Sequence, residues 1–418
     1  MPSFRIQGGK RLSGAVTVQG AKNAALPLLS ATLLTAQPCT LSNIPRIEDV
    51  MVMLELISGM GARVEWLGEN QVRVTAADLD PDKLNRLLVR KLRASILMIG
   101  PLLARFGKIR IPYPGGCLLG KRPMDTHFRA LEALGATVTS EGEEFLIEAT
   151  QLAPARIFLR EASVTATENT LSTMALIPGT SQLKNAASEP HVTNLCDALI
   201  QMGAVIEGRG GHDLHITGAA ELKGFDIAVV TDQLEVGSFA VLPLVTGGEV
   251  SLHPVVPDHL DPMLIKFDDM GVDYTLTADT LTVRSGPDLK PFNLTTNVWP
   301  GFPTDLQSPF TVLATQCHGN SMIHDWMYEG RLFYIDKLIK MGADIILCDP
   351  HRIIVSGPRR LSGKTIESPD IRAGMALLIA ALAAEGESII EHVGLIDRGY
   401  LNVEARLGQL GADIERLP

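Results

Sequence analysis

The chain has 418 residues, a formal net charge of -10, 46% hydrophobic residues and 20% charged residues. This length and composition predict two or three domains with ample hydrophobic core. The negative charge argues against a protein that coats nucleic acid, so we expect local basic clusters to bind a small anionic ligand.

Five cysteines lie far apart, at positions 39, 117, 196, 317 and 348, without CxxC or Cys/His metal spacing. This predicts reduced thiols and no cysteine metal site. We also expect no other metal and no cofactor. The N-terminus has no secretory signal pattern, and the longest apolar run, residues 375–384, is too short to span a bilayer. We therefore expect a cytoplasmic protein with no membrane partner.

A motif recurs six times: a helix-like run ends in Gly-Ala, once Gly-Val, and a strand-like run follows. Its glycines are Gly61, Gly135, Gly203, Gly271, Gly342 and Gly411. Subtracting neighbouring positions gives spacings of 74, 68, 68, 71 and 69 residues. A fixed period indicates repeated supersecondary units, and glycine accepts the left-handed conformation in which many helices end.

A second set of glycines runs in phase with the first. Small-residue helices are predicted to end at Gly107, Gly179, Gly247, Gly319 and Gly386, each before a strand. One repeat therefore reads strand, helix, strand, helix, strand, strand. The helix before each of these glycines is almost entirely apolar, as in residues 373–384. This predicts an α/β protein in which sheet encloses three buried helices in each half.

The sixth repeat stops before its closing strand, and residues 4–14 match the closing strand of the fifth, residues 352–363. The N-terminus is therefore expected to complete the last repeat. This predicts one three-repeat domain at 21–229 and a second at 230–418 plus 1–20, with an active site in the cleft between them.

Polar residues concentrate where each predicted helix begins, and helix N-termini bind phosphate and carboxylate. The alternatives are structural. Lys22 and Arg372 could be solvated charges, Asp305 could be a helix N-cap, and Asp397 with Arg398 could form an ion pair.

The segment 112–123 is rich in glycine and proline and predicts an irregular loop. It places Cys117 near Lys121 and Arg122, and neighbouring cations favour the reactive thiolate. An incidental loop cysteine is the alternative. The sequence has no Walker loop, no GxGxxG after a strand and no HExxH, so nucleotide hydrolysis, dinucleotide binding and zinc proteolysis have no support.

Six segments can be compared with known families: residues 20–27, 93–95, 114–117, 120–123, 302–305 and 396–400. They resemble the UDP-N-acetylglucosamine 1-carboxyvinyltransferase family of enolpyruvyl transferases, and the similarity runs from Phe4 to Arg416. The resemblance implies two inside-out α/β barrel domains of three repeats each. It also implies that phosphoenolpyruvate and UDP-N-acetylglucosamine give the 3′-enolpyruvyl ether and phosphate, the first committed step of peptidoglycan synthesis in the cell wall.

The resemblance also implies roles for individual residues. Cys117 matches the general acid and Asp305 the base. Lys22, Arg122 and Arg398 match cations that hold phosphate and carboxylate. The other implied contacts are Arg331 and Arg372 with these cations, Asn23 at a sugar hydroxyl, Arg93 in the same cleft, Ser163 and Val164 at the diphosphate, and Pro123, Met124, Asp125, Thr126 and Met327 with Arg122 on the uridine side.

Two segments depart from the family pattern. The diphosphate segment, often Lys-x-Ser-Val-Gly in relatives, has Glu161 in place of Lys and Thr165 in place of Gly. A carboxylate next to a diphosphate is unfavourable, so we expect Glu161 to point away from it. Gly330 stands where Asn or Ser is common.

Three alternatives stay open at this point: a shikimate-type enolpyruvyl transferase, a transferase acting on another nucleotide, and a non-catalytic paralogue that binds the sugar nucleotide. Retention of Cys117, Lys22, Asp305 and Arg398 favours catalysis, because binding alone needs no acid–base pair. The oligomeric state is left open.

Overall fold

A computed structural model describes residues 2–115, 123–286 and 288–418 of this mixed α/β protein. The α-helices are α1 (Lys22–Ala31), α2 (Glu48–Gly59), α3 (Arg86–Lys91), α4 (Ile99–Phe106), α5 (Asp125–Ala133), α6 (Val164–Ala175), α7 (Pro190–Met202), α8 (Gln233–Thr246), α9 (Asp261–Met270), α10 (Gln307–Ala314), α11 (Ile335–Lys340), α12 (Ile371–Ala383), α13 (Gly394–Asp397) and α14 (Val403–Gln409). Short 3-10 helices span Thr32–Leu34, Pro81–Lys83, Arg93–Met98, Pro257–His259 and Thr304–Leu306.

The strands are β1 (Ser3–Gln7), β2 (Ser13–Thr17), β3 (Cys39–Ser42), β4 (Arg63–Gly68), β5 (Gln71–Thr75), β6 (Lys108–Pro112), β7 (Thr137–Glu141), β8 (Glu144–Glu148), β9 (Arg156–Phe158), β10 (Gly179–Lys184), β11 (Val205–Glu207), β12 (Asp213–Gly218), β13 (Asp226–Ala228), β14 (Glu249–His253), β15 (Asp273–Leu276), β16 (Leu281–Arg284), β17 (Asn293–Thr295), β18 (Gly319–His324), β19 (Asp344–Asp349), β20 (Arg352–Gly357), β21 (Thr365–Glu367), β22 (Glu387–Glu391) and β23 (Asp413–Leu417).

The chain divides into two compact units. In the described parts of the chain, the middle unit contains residues 20–115 and 123–230, and the terminal unit contains residues 2–19, 231–286 and 288–418. The chain passes from one unit to the other near residues 19–20 and again near residues 230–231. The strands just before these two points pair with partners distant in sequence. β2 pairs in parallel with β14, and β13 pairs in parallel with β3.

Among the residues that the structure describes, five of the six sheets share one arrangement. A first strand runs parallel to a second, and two further strands continue the sheet in antiparallel order, as in β9, β10, β12 and β11. In three of these sheets a helix joins the first strand to the second: α6, α10 or α12. In the other two, β2 leads through α1 to β3 and β13 leads through α8 to β14, so the first strand and its parallel partner come from distant parts of the chain. The predicted repeat of strand, helix, strand, helix, strand, strand is therefore present in these sheets.

The sixth sheet departs from that prediction. It consists of β6, β8 and β7 in the described part of the chain, and α3 occupies the sequence position of the expected first strand. The Asn85 side chain accepts hydrogen bonds from Leu87 N at 3.1 Å and Leu88 N at 3.3 Å. This N-cap starts a helix where the other repeats have a strand.

The β1 strand completes the last repeat, as the sequence predicts. It pairs antiparallel with β23, from Ser3 opposite Leu417 to Gln7 opposite Asp413, and with β22 on its other side. A strand from the start of the chain thus closes a sheet whose other strands come from its end.

Three helices pack together at the centre of the terminal unit: α8, α10 and α12. Their side chains are buried around nearly the whole circumference, including every residue of α12 from Arg372 to Leu382. A helix that is apolar on all sides needs cover on all sides. In the part of the chain that the structure describes, no helix is both long and apolar enough to cross a membrane.

The repeated glycines lie at helix ends in left-handed conformations. The six glycines of the Gly-Ala series have φ values of 107, 104, 117, 76, 105 and 98°, which favour glycine over residues with a Cβ. Three glycines of the second series lie beyond the helix they were predicted to end. α6 ends at Ala175, α10 at Ala314 and α12 at Ala383, whereas Gly179 and Gly319 begin strands and Gly386 directly precedes β22.

A buried ion pair fixes the segment that follows β2. Arg406 of α14 donates to both carboxylate oxygens of Glu235 in α8, at 2.9 and 2.6 Å, and to the Thr17 carbonyl at 2.8 Å. Glu235 also accepts from the Gln19 backbone N–H at 3.0 Å. The two side chains are only 12% and 3% exposed.

We expect Arg406→Ala to destabilise the protein by about 3–5 kcal/mol, because it leaves the buried Glu235 carboxylate without its cation. Thermal unfolding measured by calorimetry tests this. Arg360→Ala is the control, since Arg360 pairs with Glu385 on the surface, where 88% and 70% of the side chains are exposed. Equal melting temperatures for the two variants would contradict the prediction.

A buried acid in α6 predicts pH-dependent stability. Glu168 is 2% exposed, and its Oε1 has no hydrogen-bond partner in the described chain. Burial, and then the charge of Glu189, raise the pKa of Glu168 well above its usual value. Folding therefore favours the protonated carboxyl.

Between the unfolded and the raised folded pKa, the unfolded chain binds fewer protons at this position than the folded chain does. Glu168 therefore makes stability fall as pH rises through this window. Glu168→Gln should remove this slope, so that its gain over wild type increases from pH 5 to pH 8 in denaturant titrations. The exposed Glu132→Gln is the control, and a gain independent of pH would contradict the expectation.

Candidate active site

Lys22 begins α1 and lies beside a carboxylate of the middle unit. Its Nζ is 3.1 Å from Oδ2 of Asp49 in the first turn of α2, and the two side chains are 13% and 7% exposed. Lys22 is therefore not a solvated surface charge. No side chain caps the start of α1, and Asn23, which follows, is half-buried.

Arg93 lies against the described start of the glycine-rich loop. Its Nη1 donates to the Pro114 carbonyl at 3.1 Å, and its guanidinium lies 5.7 Å from the ring centre of Tyr113. The predicted acid Cys117 and the predicted cation Arg122 lie outside the described residues.

The predicted uridine and diphosphate segments lie next to each other in the middle unit. Met124 and Thr126 are buried, whereas Pro123 and Asp125 are exposed. The Thr126 hydroxyl donates to Glu161 Oε1 at 3.2 Å. This contact between the two segments was not predicted, and it gives the unusual Glu161 a partner.

The start of α6 lies beside that contact, and Ser163 and His127 bind it through hydrogen bonds. Ser163 is the N-cap, and its hydroxyl accepts from Ala166 N at 3.4 Å, with Val164 as the first helical residue. His127 in α5 contacts Thr165 Oγ1 through Nε2 at 3.1 Å and Asn169 Nδ2 through Nδ1 at 3.0 Å. Since Asn169 Nδ2 is a donor, the neutral imidazole accepts at Nδ1 and donates from Nε2.

Asp305 lies in the 3-10 turn that leads into α10, and two arginines bind its carboxylate. Arg331 Nη2 donates to Oδ1, and Arg372 Nε donates to Oδ2 at 3.2 Å. Pro303 is the N-cap of the 3-10 turn and Leu306 that of α10, so Asp305 is not a helix N-cap and its carboxylate forms ion pairs instead. The structure brings Asp305, Arg331 and Arg372 together within the terminal unit.

Both arginines are about 95% buried, so their charge needs acidic neighbours. Burial alone would lower the pKa of Arg331, but Asp305, Asp370 and Asp325 raise it overall. Burial likewise opposes the charge of Arg372, but Tyr400 and Asp305 raise its pKa. Arg372 is therefore not a solvated charge, and both guanidinium groups stay charged.

A hydroxyl chain holds the other side of Arg372. Its Nη1 donates to the Tyr400 hydroxyl at 3.0 Å, and Tyr400 lies 2.9 Å from the Ser238 hydroxyl. Ser238 donates to the Leu234 carbonyl at 2.8 Å, so Tyr400 donates to Ser238. Sequence reasoning missed this role of Tyr400, although the residue closes the segment 396–400.

Met327 and Arg398 complete the predicted residues of the terminal unit. Met327 N donates to Asp325 Oδ1 at 3.1 Å. Arg398 is a half-buried residue at the C-terminal end of α13. Its neighbour Asp397 accepts from Arg416 at 2.9 and 2.7 Å, so the carboxylate of Asp397 has Arg416 as an ion-pair partner.

The chain is similar to known enolpyruvyl transferases over its whole length. A family model described as EPSP synthase (3-phosphoshikimate 1-carboxyvinyltransferase) matches residues 6–407. A UDP-N-acetylglucosamine 1-carboxyvinyltransferase of Treponema denticola is 44% identical, covering 99% of each chain. One of Bradyrhizobium diazoefficiens is 45% identical, covering 99% of this chain and 98% of the relative.

Solved structures are similar over the same length. The enolpyruvyl transferase NikO from Streptomyces tendae has a TM-score of 0.91 at 25% identity, covering 100% of this chain and 99% of that one. An EPSP synthase from Acinetobacter baumannii, at 19% identity, shares the fold with a TM-score of 0.78 and covers 100% of each chain. The chain therefore belongs to the UDP-N-acetylglucosamine 1-carboxyvinyltransferases, a family within the wider EPSP synthase group.

Proposed function

We propose that this protein transfers the enolpyruvyl group of phosphoenolpyruvate to the 3′-hydroxyl of UDP-N-acetylglucosamine and releases phosphate, a step of peptidoglycan synthesis. The observation that carries this proposal is the full-length similarity to relatives named for this activity, at 44% and 45% identity. The wider group includes shikimate-type enzymes, but these two relatives are named for the sugar-nucleotide acceptor.

Cys117 supplies the proton in this proposal. C2 of phosphoenolpyruvate becomes electrophilic once the neighbouring methylene group is protonated, so addition needs a general acid. Other thiols are poorly suited, since burial raises the pKa of Cys39, Cys196 and Cys317 to about 12. Cys117 is better suited, because Lys121 and Arg122 follow it in the sequence and neighbouring cations favour the thiolate that is left after proton donation.

Asp305 takes the proton of the sugar hydroxyl as the hydroxyl oxygen attacks C2 of phosphoenolpyruvate, the carbon next to the methylene group that Cys117 protonates. In the second stage the Cys117 thiolate takes back one methyl proton, the bond between C2 and the phosphate oxygen breaks, and the C2–C3 double bond forms again as phosphate leaves. The proton on Asp305 passes to the solvent. The contacts of Asp305 with Arg331 and Arg372 support this role, because they fix the direction of its oxygens.

Cations hold the phosphate and carboxylate in the same proposal: Lys22, Arg122 and Arg398, with Arg331 and Arg372. The sugar nucleotide is bound by a second set of residues: Asn23, Arg93, Ser163, Val164, Met327 and residues 123–126. The Thr126–Glu161 contact holds the segments 123–126 and 161–164 next to each other, which supports the proposal that both bind the sugar nucleotide. It also directs one oxygen of Glu161 at a hydroxyl donor.

We infer that the three sheets of each unit surround its buried helices as an inside-out barrel, and the similarity to NikO supports this inference. Domains at 21–229 and at 230–418 plus 1–20, with a shared cleft, remain predictions from the repeats. Cytoplasmic location is supported by the free thiols of Cys39, Cys196, Cys317 and Cys348.

We expect phosphate release from phosphoenolpyruvate to depend on UDP-N-acetylglucosamine and to fall at least about 100-fold in Cys117→Ser, since the serine hydroxyl is a much weaker acid. A coupled phosphate assay measures this. Cys348→Ser is the matched control, because Cys348 is exposed. Release without the sugar nucleotide would point to another acceptor, and no release with any acceptor would favour a non-catalytic paralogue.

We expect Asp305→Asn to lower kcat by about 100-fold, because the amide keeps the shape of the carboxylate but cannot accept the hydroxyl proton. Steady-state kinetics in both substrates tests this, with KM for phosphoenolpyruvate reported separately. Asp344→Asn is the control, since Asp344 pairs with Arg359 on the surface. A kcat within twofold of wild type would exclude Asp305 as the base.

A further inference from the structure

Asp325 is a fully buried carboxylate of the terminal unit to which the mechanism above assigns no role. It follows the last residue of β18. Its two oxygens face different segments: Oδ2 accepts from the Thr304 hydroxyl at 2.6 Å, and Oδ1 accepts from the Met327 N–H at 3.1 Å. Thr304 precedes the proposed base, and Met327 belongs to the proposed nucleotide contacts.

The backbone of Asp325 is anchored on both sides to one residue. Its N–H donates to the His351 carbonyl at 2.8 Å, and its carbonyl accepts from His351 Nδ1 at 2.8 Å. One bond comes from the main chain and one from the side chain of His351, in the turn between β19 and β20, and together they fix the backbone that carries the Asp325 carboxylate. A support of this kind is what a precisely oriented site requires.

The Thr304 hydroxyl connects Asp325 to Arg331 in a defined direction. Arg331 Nε lies 3.0 Å from Thr304 Oγ1, and a guanidinium can only donate. The hydroxyl oxygen therefore accepts from Arg331, and its single hydrogen is directed at Asp325. Replacing the hydroxyl by a methyl group removes both contacts at once.

Arg331 uses one edge of its guanidinium to hold two consecutive residues. Nε donates to the side chain of Thr304, and Nη2 donates to the carboxylate of Asp305. The planar group fixes the spacing of these two donors. Any rotation that released Thr304 would also displace the donor that orients Asp305.

We infer that Asp325 is a positioning residue for enolpyruvyl transfer, which acts through Thr304 and Arg331 on Asp305 and through the Met327 N–H on the nucleotide segment. The inference rests on the proposed function. One buried carboxylate thereby sets the orientation of the base and the path of the segment that contacts the nucleotide. Asp325 does not touch the reacting atoms in this account.

The test compares Thr304→Val with Thr304→Ser. Valine keeps the shape of threonine but removes the link to Arg331, so we expect kcat to fall about 10-fold, the size of one lost hydrogen bond. KM for UDP-N-acetylglucosamine should stay within about twofold, because the Asp325–Met327 contact remains. Serine keeps the hydroxyl and should restore most of the lost kcat.

Two further variants separate positioning from stability. Thr315→Val removes another buried hydroxyl of the same unit, which donates to the Val312 carbonyl at 2.7 Å. It should lower the melting temperature without lowering kcat. Asp325→Asn should lower kcat and also raise KM for UDP-N-acetylglucosamine, since one amide cannot accept both hydrogen bonds.

If Thr304→Val and Asp325→Asn lower the melting temperature but keep kcat and KM within twofold of wild type, the network is only structural and the inference is wrong. Wild-type turnover is measured first. If wild type shows no phosphate release that depends on UDP-N-acetylglucosamine, the proposed function fails, whatever the variants do.

Discussion

The packing of three helices that are buried around their circumference at the centre of a unit is the constraint on which the arrangement of charged residues depends. Such a helix places charged side chains most favourably near its ends. In the terminal unit, Asp305 precedes α10 and Arg372 lies in the first turn of α12. In the middle unit, Lys22 opens α1 and Ser163 caps α6. The core thus explains why the candidate residues of four distant segments all lie at helix starts.

The cations buried beside that core depend on neighbouring carboxylates for their stability. Arg331 and Arg372 are almost completely removed from water, and a buried charge is stable only with partners of opposite charge and satisfied hydrogen bonds. Asp305 meets one donor from each arginine. The same rule applies to Lys22 with Asp49 in the middle unit. These ion pairs are therefore part of folding as well as of the proposed chemistry.

The repeats could be predicted from sequence because glycine has a physical reason to recur where a helix ends in a left-handed residue. The six glycines of the Gly-Ala series follow from that signal. The pairing of β1 with β23 follows from the match between residues 4–14 and residues 352–363. The helix α3 could not be predicted in this way, since the N-cap Asn85 overrides the repeat. Charged residues at helix starts could be found by their position. Their partners Asp325 and Tyr400 follow no periodic pattern, because side chains meet there through tertiary packing.

Asp305 is held by two independent chains of hydrogen bonds. One runs through Arg372 and Tyr400 to Ser238, and the other runs through Arg331 and Thr304 to Asp325. A single guanidinium would fix one oxygen and leave the carboxylate free to rotate about its bond to Cβ. Two donors on different oxygens remove that rotation. Since each chain ends on a buried group in a different repeat, the carboxylate keeps one orientation only while both repeats are packed. The orientation of Asp305 therefore depends on packing across the terminal unit.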